Sequence, residues 1–308
     1  RKCLKCGNWR SKKNGSRRGL IRYKCLNCGH QFQSARRDTK TAPALWKEYV
    51  EGKQTLVQLA GAHGHSHVWV RRRLDTVSVS ATGIAPQPTV AIADTTFWGR
   101  TYGVCVFRSV HLKKNIWWHE VAGERMAHYR YGRAILEENG WVLHAIVVDG
   151  RRGFLNVFDD IPVQICQFHQ MKQVTKYLTR RPKTEAGKEL RAITLTLART
   201  DEATFTAVLD AWYEQWKEFI DEKTVSDFSN GKTKWHYTHK TTRSAYRSLK
   251  TNLPHLFVYQ KYPELHIPNT TNALDGSFSA LKKKLAVHHG LRRDRRYKVI
   301  SKLLRDGA

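Results

Sequence analysis

Nowhere in the 308 residues does an apolar run approach the roughly eighteen positions a membrane helix needs, and no secretory apolar segment opens the chain. A membrane-spanning or secreted protein is therefore not expected. The chain begins on Arg rather than Met, so its native N-terminus is expected to lie further upstream. Acids are scarce: 26 Asp and Glu stand against 54 Lys and Arg, a net charge of +28. A polybasic membrane patch would bring amphipathic or lipidation signals, which the chain lacks, and the excess is spread along its whole length. A polyphosphate partner, nucleic acid, is the expectation. Cysteine is limited to six positions, four of them in two CxxC pairs at the start. In a basic chain without a secretory signal this excludes a disulfide framework and indicates metal binding in a reducing compartment. Cys105 and Cys166 stand alone and read as buried structural thiols. Core-forming residues, by contrast, are plentiful. A hydrophobic fraction of 41% and ten Trp exclude global disorder.

The first segment, CLKCGNWRSKKNGSRRGLIRYKCLNCGHQF, holds two knuckles, Cys3-x2-Cys6-Gly7 and Cys25-x2-Cys28-Gly29, with eighteen residues between them. Each knuckle needs a tight turn so that two thiolates reach one tetrahedral ion, and Gly after the second Cys permits it. The alternation Ile21-Arg22-Tyr23-Lys24-Cys25 predicts a strand leading into the second knuckle. Residues 1–40 thus read as a zinc ribbon with Cys3, Cys6, Cys25 and Cys28 on one structural Zn²⁺. Thirteen Lys or Arg and a single Asp in that span suit contact with phosphates.

Residues 41–80 predict three short helices. Pro43 suits the first turn of a helix that ends near Gly52, TLVQLAGAHG closes on glycine, and Ser66 caps HVWVRRRLD. A helix-turn-helix DNA-binding domain is the functional reading, with Arg71, Arg72 and Arg73 facing DNA; a generic three-helix linker is the alternative. His63, His65 and His67 are expected in a polar loop without a carboxylate partner.

A Ser-, Thr- and Pro-rich linker is expected up to about Thr89. Next come VAIAD, a strand ending on Asp94, then YGVCVFRSV and NIWWHEV as an antiparallel meander, and a helix from Arg125 to Asn139. LHAIVVDG is a buried strand ending on Asp149, VQICQF a last strand, and HQMKQVTKYL a helix. This order is that of an RNase H-like α/β core, and carboxylates at neighbouring strand ends can converge on one point. Long amphipathic patterns, with Trp212 and Trp216 four apart, then predict an all-helical insertion. GKTKWHYTHKTTRSAYRSLK interleaves aromatic and basic residues, as a DNA contact or as a solvated basic face.

In TTNALDGSFSALKKKL, Leu274, Phe278, Leu281 and Leu285 recur at helical spacing, with Asp275 in the first turn. Asp275 can be an ordinary acid near a helix start or a third metal-binding carboxylate beside Asp94 and Asp149. Glu264, in a Pro-bounded loop, is the rival for that third place. Three acids suit Mg²⁺, a hard ion that binds oxygen and keeps waters. Lys282, Lys283 and Lys284, then Arg292 and Arg293 with Arg295 and Arg296, follow where substrate phosphates would arrive.

The N-terminal CLKC and CLNC, LWKEYVEGKQTLVQLA, the acids of VAIADTT and IVVDG, CQFH at Cys166 to His169, and TTNALDGSFSALKKKLAVHHGL span nearly the whole chain. Together they resemble a bacterial insertion-sequence transposase of the Mutator-like group in the DDE superfamily. The family pattern usually has Glu as its third acid, where Asp275, one methylene shorter, stands here. The resemblance implies a zinc ribbon (1–40), a helix-turn-helix (41–80), an RNase H-like core (81–181 and 263–308) and a helical insertion (182–262). It implies that Asp94 bridges two Mg²⁺ or Mn²⁺ ions, that Asp149 and Asp275 each hold one side, and that His169 touches the scissile phosphate or orients the nucleophile. The activity implied is cleavage at terminal inverted repeats and strand transfer into target DNA. The expected setting is a homodimer on double-stranded DNA in the bacterial cytoplasm, at the nucleoid. A domesticated, weakly active or inactive DNA-binding regulator, and an RNase H-like nuclease, are the rival functions.

Overall fold

The computed structural model describes residues 1–308 except 18–19, 34–40, 80–82, 152, 228–232 and 308. The chain divides into two compact units, Arg1–Val77 and Ser78–Ala308. The boundaries expected at 40 and 80 fall outside the described residues.

The first unit opens with β1 (Ser11–Arg17), β2 (Leu20–Cys25) and β3 (Gln31–Gln33), an antiparallel sheet in that order. Its small core is Cys3, Tyr23, Cys25 and Phe32. Three helices follow: α1 (Ala42–Val50), α2 (Leu56–His63) and α3 (His67–Asp75). Local signals set their ends. The Thr41, Thr55 and Ser66 side chains accept the first free amides of the three helices, Thr55 in a reciprocal capping box with Gln58. Gly64 ends α2 in the left-handed conformation at φ 64°. Leu45, Trp46, Tyr49, Leu59, Val70 and Leu74 face inward. His63 does have a carboxylate partner, Glu48 at 2.7 Å, because α2 brings the ring against α1 instead of leaving it in a loop.

The second unit is a mixed α/β architecture resembling an RNase H-like fold. Strands β4 (Pro88–Phe97), β5 (Gly103–Ser109) and β6 (Lys114–Val121) precede α4 (Met126–Glu138); β7 (Val142–Val148) and β8 (Val163–Ile165) lead to α5 (Gln167–Leu178). The five strands lie in the order β6-β5-β4-β7-β8, antiparallel from β6 to β4 and parallel from β4 to β8. The central strands are buried on both faces and so read as near-continuous apolar runs. On one face α4 buries Tyr129 and Leu136 in a core with Phe107, Phe154 and Phe158. Gly132 permits the approach of α4: a Cβ there would lie 2.7 Å from the rings of Phe107 and Trp117.

The insertion comprises α6 (Glu185–Leu195), α7 (Glu202–Asp221), an antiparallel hairpin of β9 (Lys223–Asp227) and β10 (Thr233–Tyr237), α8 (Lys240–Asn252) and the short α9 (Val258–Lys261). The expectation of an all-helical insertion is therefore corrected. Alternating β-branched and aromatic residues in KTV and TKWHY form a ladder where a continued helix was expected. Leu190, Phe205, Leu209, Trp212, Leu249 and Phe257 of the insertion share one core with Val174 and Leu178 of α5, with Trp216 packed against it. The chain ends with α10 (Asn272–Ala286), which packs on β4, and α11 (Arg293–Arg305), which packs on α10 and β6. Asn115 donates to the Leu304 carbonyl at 2.8 Å and the Trp118 indole to Ser301 at 3.1 Å, so the last helix is pinned to the sheet edge. No helix of the described residues is long and apolar enough to cross a membrane.

Candidate functional site

Sheet register brings the first two acids together. Ile92 of β4 pairs in parallel with Val147 of β7, and Asp94 and Asp149 each lie two residues beyond those partners. With a side-chain period of two, both carboxylates leave the same face at the same level. Asp94 does not end its strand as expected. β4 continues to Phe97, because Thr95, Thr96 and Phe97 still pair with Cys105, Val104 and Gly103 of the antiparallel neighbour. The last strand of the sheet, β8, also stops earlier than expected, and Gln167 and Phe168 already belong to α5, whose first turn carries His169.

Asp275 comes from α10, whose Leu274, Phe278, Leu281 and Leu285 are all buried. The loop before that helix is tied to α5: the Gln167 amide donates to the Asn269 carbonyl at 2.9 Å, and Asn269 donates to the Gln167 side chain at 3.0 Å. Thr271 then sits at a junction. Its hydroxyl lies 3.3 Å from His169 Nδ1 and 3.4 Å from both Cys166 Sγ and Asp275 Oδ2. Asp94, Asp149, Asp275 and His169 line one cleft of about 420 Å³, together with Glu124, Lys172 and Lys282. Glu264 is not among the residues of this cleft; it lies in a 3-10 turn, Pro263–Leu265.

Glu124 was not named from the sequence. It follows β6 in a turn, with no periodic pattern to mark it. Its carboxylate accepts from Tyr129 at 2.7 Å and pairs with Arg151 at 2.7 Å, and Arg151 also lies 3.5 Å from Asp149. Tyr129 in turn meets Thr95 at 2.9 Å, and the Thr95 amide donates to Asp94 at 2.7 Å. One chain of contacts thus runs from Asp94 through Thr95, Tyr129, Glu124 and Arg151 to Asp149.

Burial dominates the electrostatics. It pushes Asp94 up to about 7, against the Thr95 hydrogen bond and the charge of His169, with Asp149 and Asp275 adding repulsion. Burial raises Asp149 and Glu124 as well. His169 moves up to about 9, chiefly through its hydrogen bond with Cys166 and then through the charges of Cys166, Asp94 and Asp275. Burial alone would raise Cys166, but hydrogen bonds with His169 and Thr271 outweigh it and hold the thiol below its ordinary value. Buried carboxylates that repel one another suit a hard divalent cation, whose preferred ligand is oxygen. Their oxygens do not crowd together as closely as the cysteine sulfurs do.

The four cysteines are the one group of three or more His, Cys, Asp or Glu, among the described residues, whose ligand atoms all lie within 4.8 Å of each other. Cys3 and Cys28 approach to 3.6 Å and Cys6 and Cys25 to 3.7 Å. A tetrahedron with Zn–S near 2.3 Å has an edge of about 3.8 Å, so the cluster could coordinate a structural zinc ion. The two knuckles are near copies. Gly7 at φ 71° donates to the Cys3 carbonyl at 3.0 Å, and Gly29 at φ 72° to the Cys25 carbonyl at 3.1 Å.

Of the basic residues expected to meet DNA, Arg71 and Arg72 are exposed on α3, and Arg73 lies over the Trp69 ring at 5.4 Å. Lys282 lines the acid cleft; Lys283 and Lys284 follow in the last turn of α10. Arg293 forms an ion pair with Glu120 of β6, and Arg292 lies 4.0 Å from Asp294.

No family model and no curated protein matches the chain. Among solved structures it is similar to the Drosophila P element transposase strand transfer complex, at 10% identity and a TM-score of 0.41, with 88% of this chain and 93% of that chain covered. That likeness is too distant to carry function across.

Proposed function

We propose that this protein is a DNA transposase of the DDE type, of the bacterial Mutator-like group, that binds terminal repeats and performs strand cleavage and strand transfer. The observation that carries this reading is the meeting of Asp94, Asp149, Asp275 and His169 in one cleft, from two parallel strands and two helices. In this reading the zinc ribbon and a helix-turn-helix formed by α1–α3 recognise the DNA ends, Arg71, Arg72 and Arg73 reading or gripping the duplex. The core holds the chemistry and the insertion supports it. Two DNA ends must be brought together, which calls for a homodimer on double-stranded DNA.

Asp94, Asp149 and Asp275 would hold two Mg²⁺ or Mn²⁺ ions. Such a pair, when bound, supplies activation of the attacking oxygen and stabilisation of the leaving one. The chain's own residues do the rest. Lys172 and Lys282 at the cleft attract the phosphate backbone. His169, hydrogen-bonded to Thr271, donates to a non-bridging oxygen of the scissile phosphate. Thr95 and Arg151 fix the carboxylates of Asp94 and Asp149. Water attacks first, breaking the P–O bond at the element end and releasing a 3′-OH. That hydroxyl then attacks a target phosphodiester, forming one P–O bond as another breaks, so joining needs no covalent protein intermediate. The buried Cys166 has no role as a nucleophile.

The test is a strand-transfer assay with the DNA that flanks the native gene, with and without Mg²⁺ or Mn²⁺. Metal-dependent joining that Asp94→Ala abolishes, with end binding retained, supports the reading. Normal joining by Asp94→Ala would overturn the assignment of the site.

A further inference from the structure

A second groove, of about 630 Å³, begins at Asp149 and His169 and runs between α5 and α8. Its walls are two helical stripes. On α5, His169, Lys172, Gln173 and Lys176 recur at i, i+3, i+4 and i+7; on α8, Ser244, Arg247, Ser248 and Thr251 repeat the same spacing. That period places each set on one helix face. Here it marks polar walls instead of a packed stripe. The opposite faces, with Val174 and Leu178 on α5 and Ala245 and Leu249 on α8, supply the insertion's core.

The floor is fixed. Gln170, 2% exposed, donates to Ser248 at 3.1 Å and accepts from Asn252 at 2.8 Å, which locks the spacing of the two helices. Several basic residues of the insertion meet acids: Lys188 with Glu185, Lys217 with Glu214, Lys250 with Asp210, Lys261 with Glu202, and Arg243 with Asp221. Lys176 and Arg247 are exposed and make no ion pair among the described residues. Asp149, at the mouth, is the one acid among the described lining residues.

We propose that this groove is a binding track for the DNA strand adjoining the scissile phosphate, with Lys176 and Arg247 as its phosphate contacts. The proposal rests on the transposase reading above and assigns that site a further substrate contact. Seven residues of helix rise about 10.5 Å, about three nucleotides at 3.4 Å each, so the track is longer than a lone phosphate ion requires. Hydroxyls and amides along the walls can accept a backbone of any sequence, which suits a flank that differs at every insertion site.

The experiment measures binding of a fluorescent DNA bearing a single-stranded flank across a salt series. It compares wild type, Lys176→Ala/Arg247→Ala, and a charge-matched control, Lys188→Ala/Lys217→Ala. The groove variant should lower the slope of log K against log salt by about 1.4, at ~0.7 per lost single-strand phosphate contact. The control should leave the slope unchanged, and Lys176→Arg/Arg247→Lys should restore it. A merely structural role would not move the slope, and unchanged thermal stabilisation by Mn²⁺ shows an intact acid site. Wild-type binding with the same slope in the groove variant would overturn the track alone. A wild type that binds no DNA at any salt would overturn the track and the transposase reading together.

Discussion

Thr271 Oγ1 lies 3.3 Å from His169 Nδ1 although 102 residues separate them in the chain. The same hydroxyl reaches Asp275 and Cys166, each at 3.4 Å, so one threonine ties the helix carrying the imidazole to the helix carrying the third acid. Thr271→Val keeps the shape and removes those bonds. Joining activity should fall by about tenfold to a hundredfold, the cost of an oriented hydrogen bond at a reacting group. Affinity for DNA should be unchanged. Thr271→Ser should recover most of the loss. Steady-state rates and binding isotherms on the three proteins decide it. A valine variant with wild-type turnover would show that His169 needs no such support.

The zinc module gives a separable expectation. A ribbon this small has too little core to fold without its ion. Chelation, or Cys25→Ser, should unfold the ribbon and weaken end binding by at least about tenfold. The melting transition of the 78–308 unit should stay where it was. Calorimetry before and after chelation, paired with a DNA-binding titration, tests both halves of the statement.

How much of this was legible in the sequence depended on whether a local pattern carried it. The knuckle spacing, the helix signals at Ser66 and at the glycine that closes α2, and the apolar stripe of α10 are local, and all three appear in the structure. The order of strands was legible because each apolar run is bounded by turn residues. The cleft gathers the four residues named beforehand, Asp94, Asp149, Asp275 and His169. What escaped is non-local or weakly patterned. Glu124 owes its place to Tyr129 and Arg151, partners no spacing rule identifies. The β9–β10 hairpin lay hidden in a basic, aromatic stretch. Strand β4 outruns its acid because β5 continues to pair with it, and the groove between α5 and α8 appears only once the two helices are packed.

Acidity in the cleft has a thermodynamic consequence for the metal-free protein. Asp94 is raised from 3.8 to about 7, so the folded state holds its proton more tightly than the unfolded chain. His169 is raised from 6.5 to about 9, with the same sign. Each contributes stability that is full below its unfolded value and lost as pH rises through its folded one. The contribution of these two groups to the stability of the metal-free protein should therefore decline from about pH 4 to pH 9, with Asp94 governing the lower part of that window. Asp94→Asn should flatten the lower part, and Mn²⁺ should stabilise the wild type more at pH 8 than at pH 6. Melts at constant ionic strength provide the check.

The third acid allows a test of reach. Asp275→Glu adds one methylene to a half-buried side chain at the cleft while Leu274 and Phe278 keep the helix seated. Joining should be preserved or raised, because the longer carboxylate still enters the cleft. Asp275→Asn, of the same size but uncharged, should lose about a hundredfold or more, as expected when a charged metal-binding oxygen is replaced by a neutral one. Complete loss in the glutamate variant would mean that Asp275 is not the third carboxylate.

Gly132 tests the packing of α4 against the sheet. A methyl group there would meet the Phe107 and Trp117 rings at 2.7 Å, too close for either ring to stay in place. Alanine favours a helix interior by about 1 kcal/mol over glycine, but overpacking a close-fitted core costs about 1–3 kcal/mol. The clash should win, because Phe107 is fully buried against Tyr129 and Phe158 and has nowhere to move. Gly132→Ala should thus lower the melting temperature of the core, and Gly132→Val should lower it further. Tyr129, displaced with α4, would loosen its hold on Thr95 and Glu124, so activity should fall even at temperatures where the variant remains folded. A stabilised alanine variant would show that α4 sits further from the sheet than these contacts require.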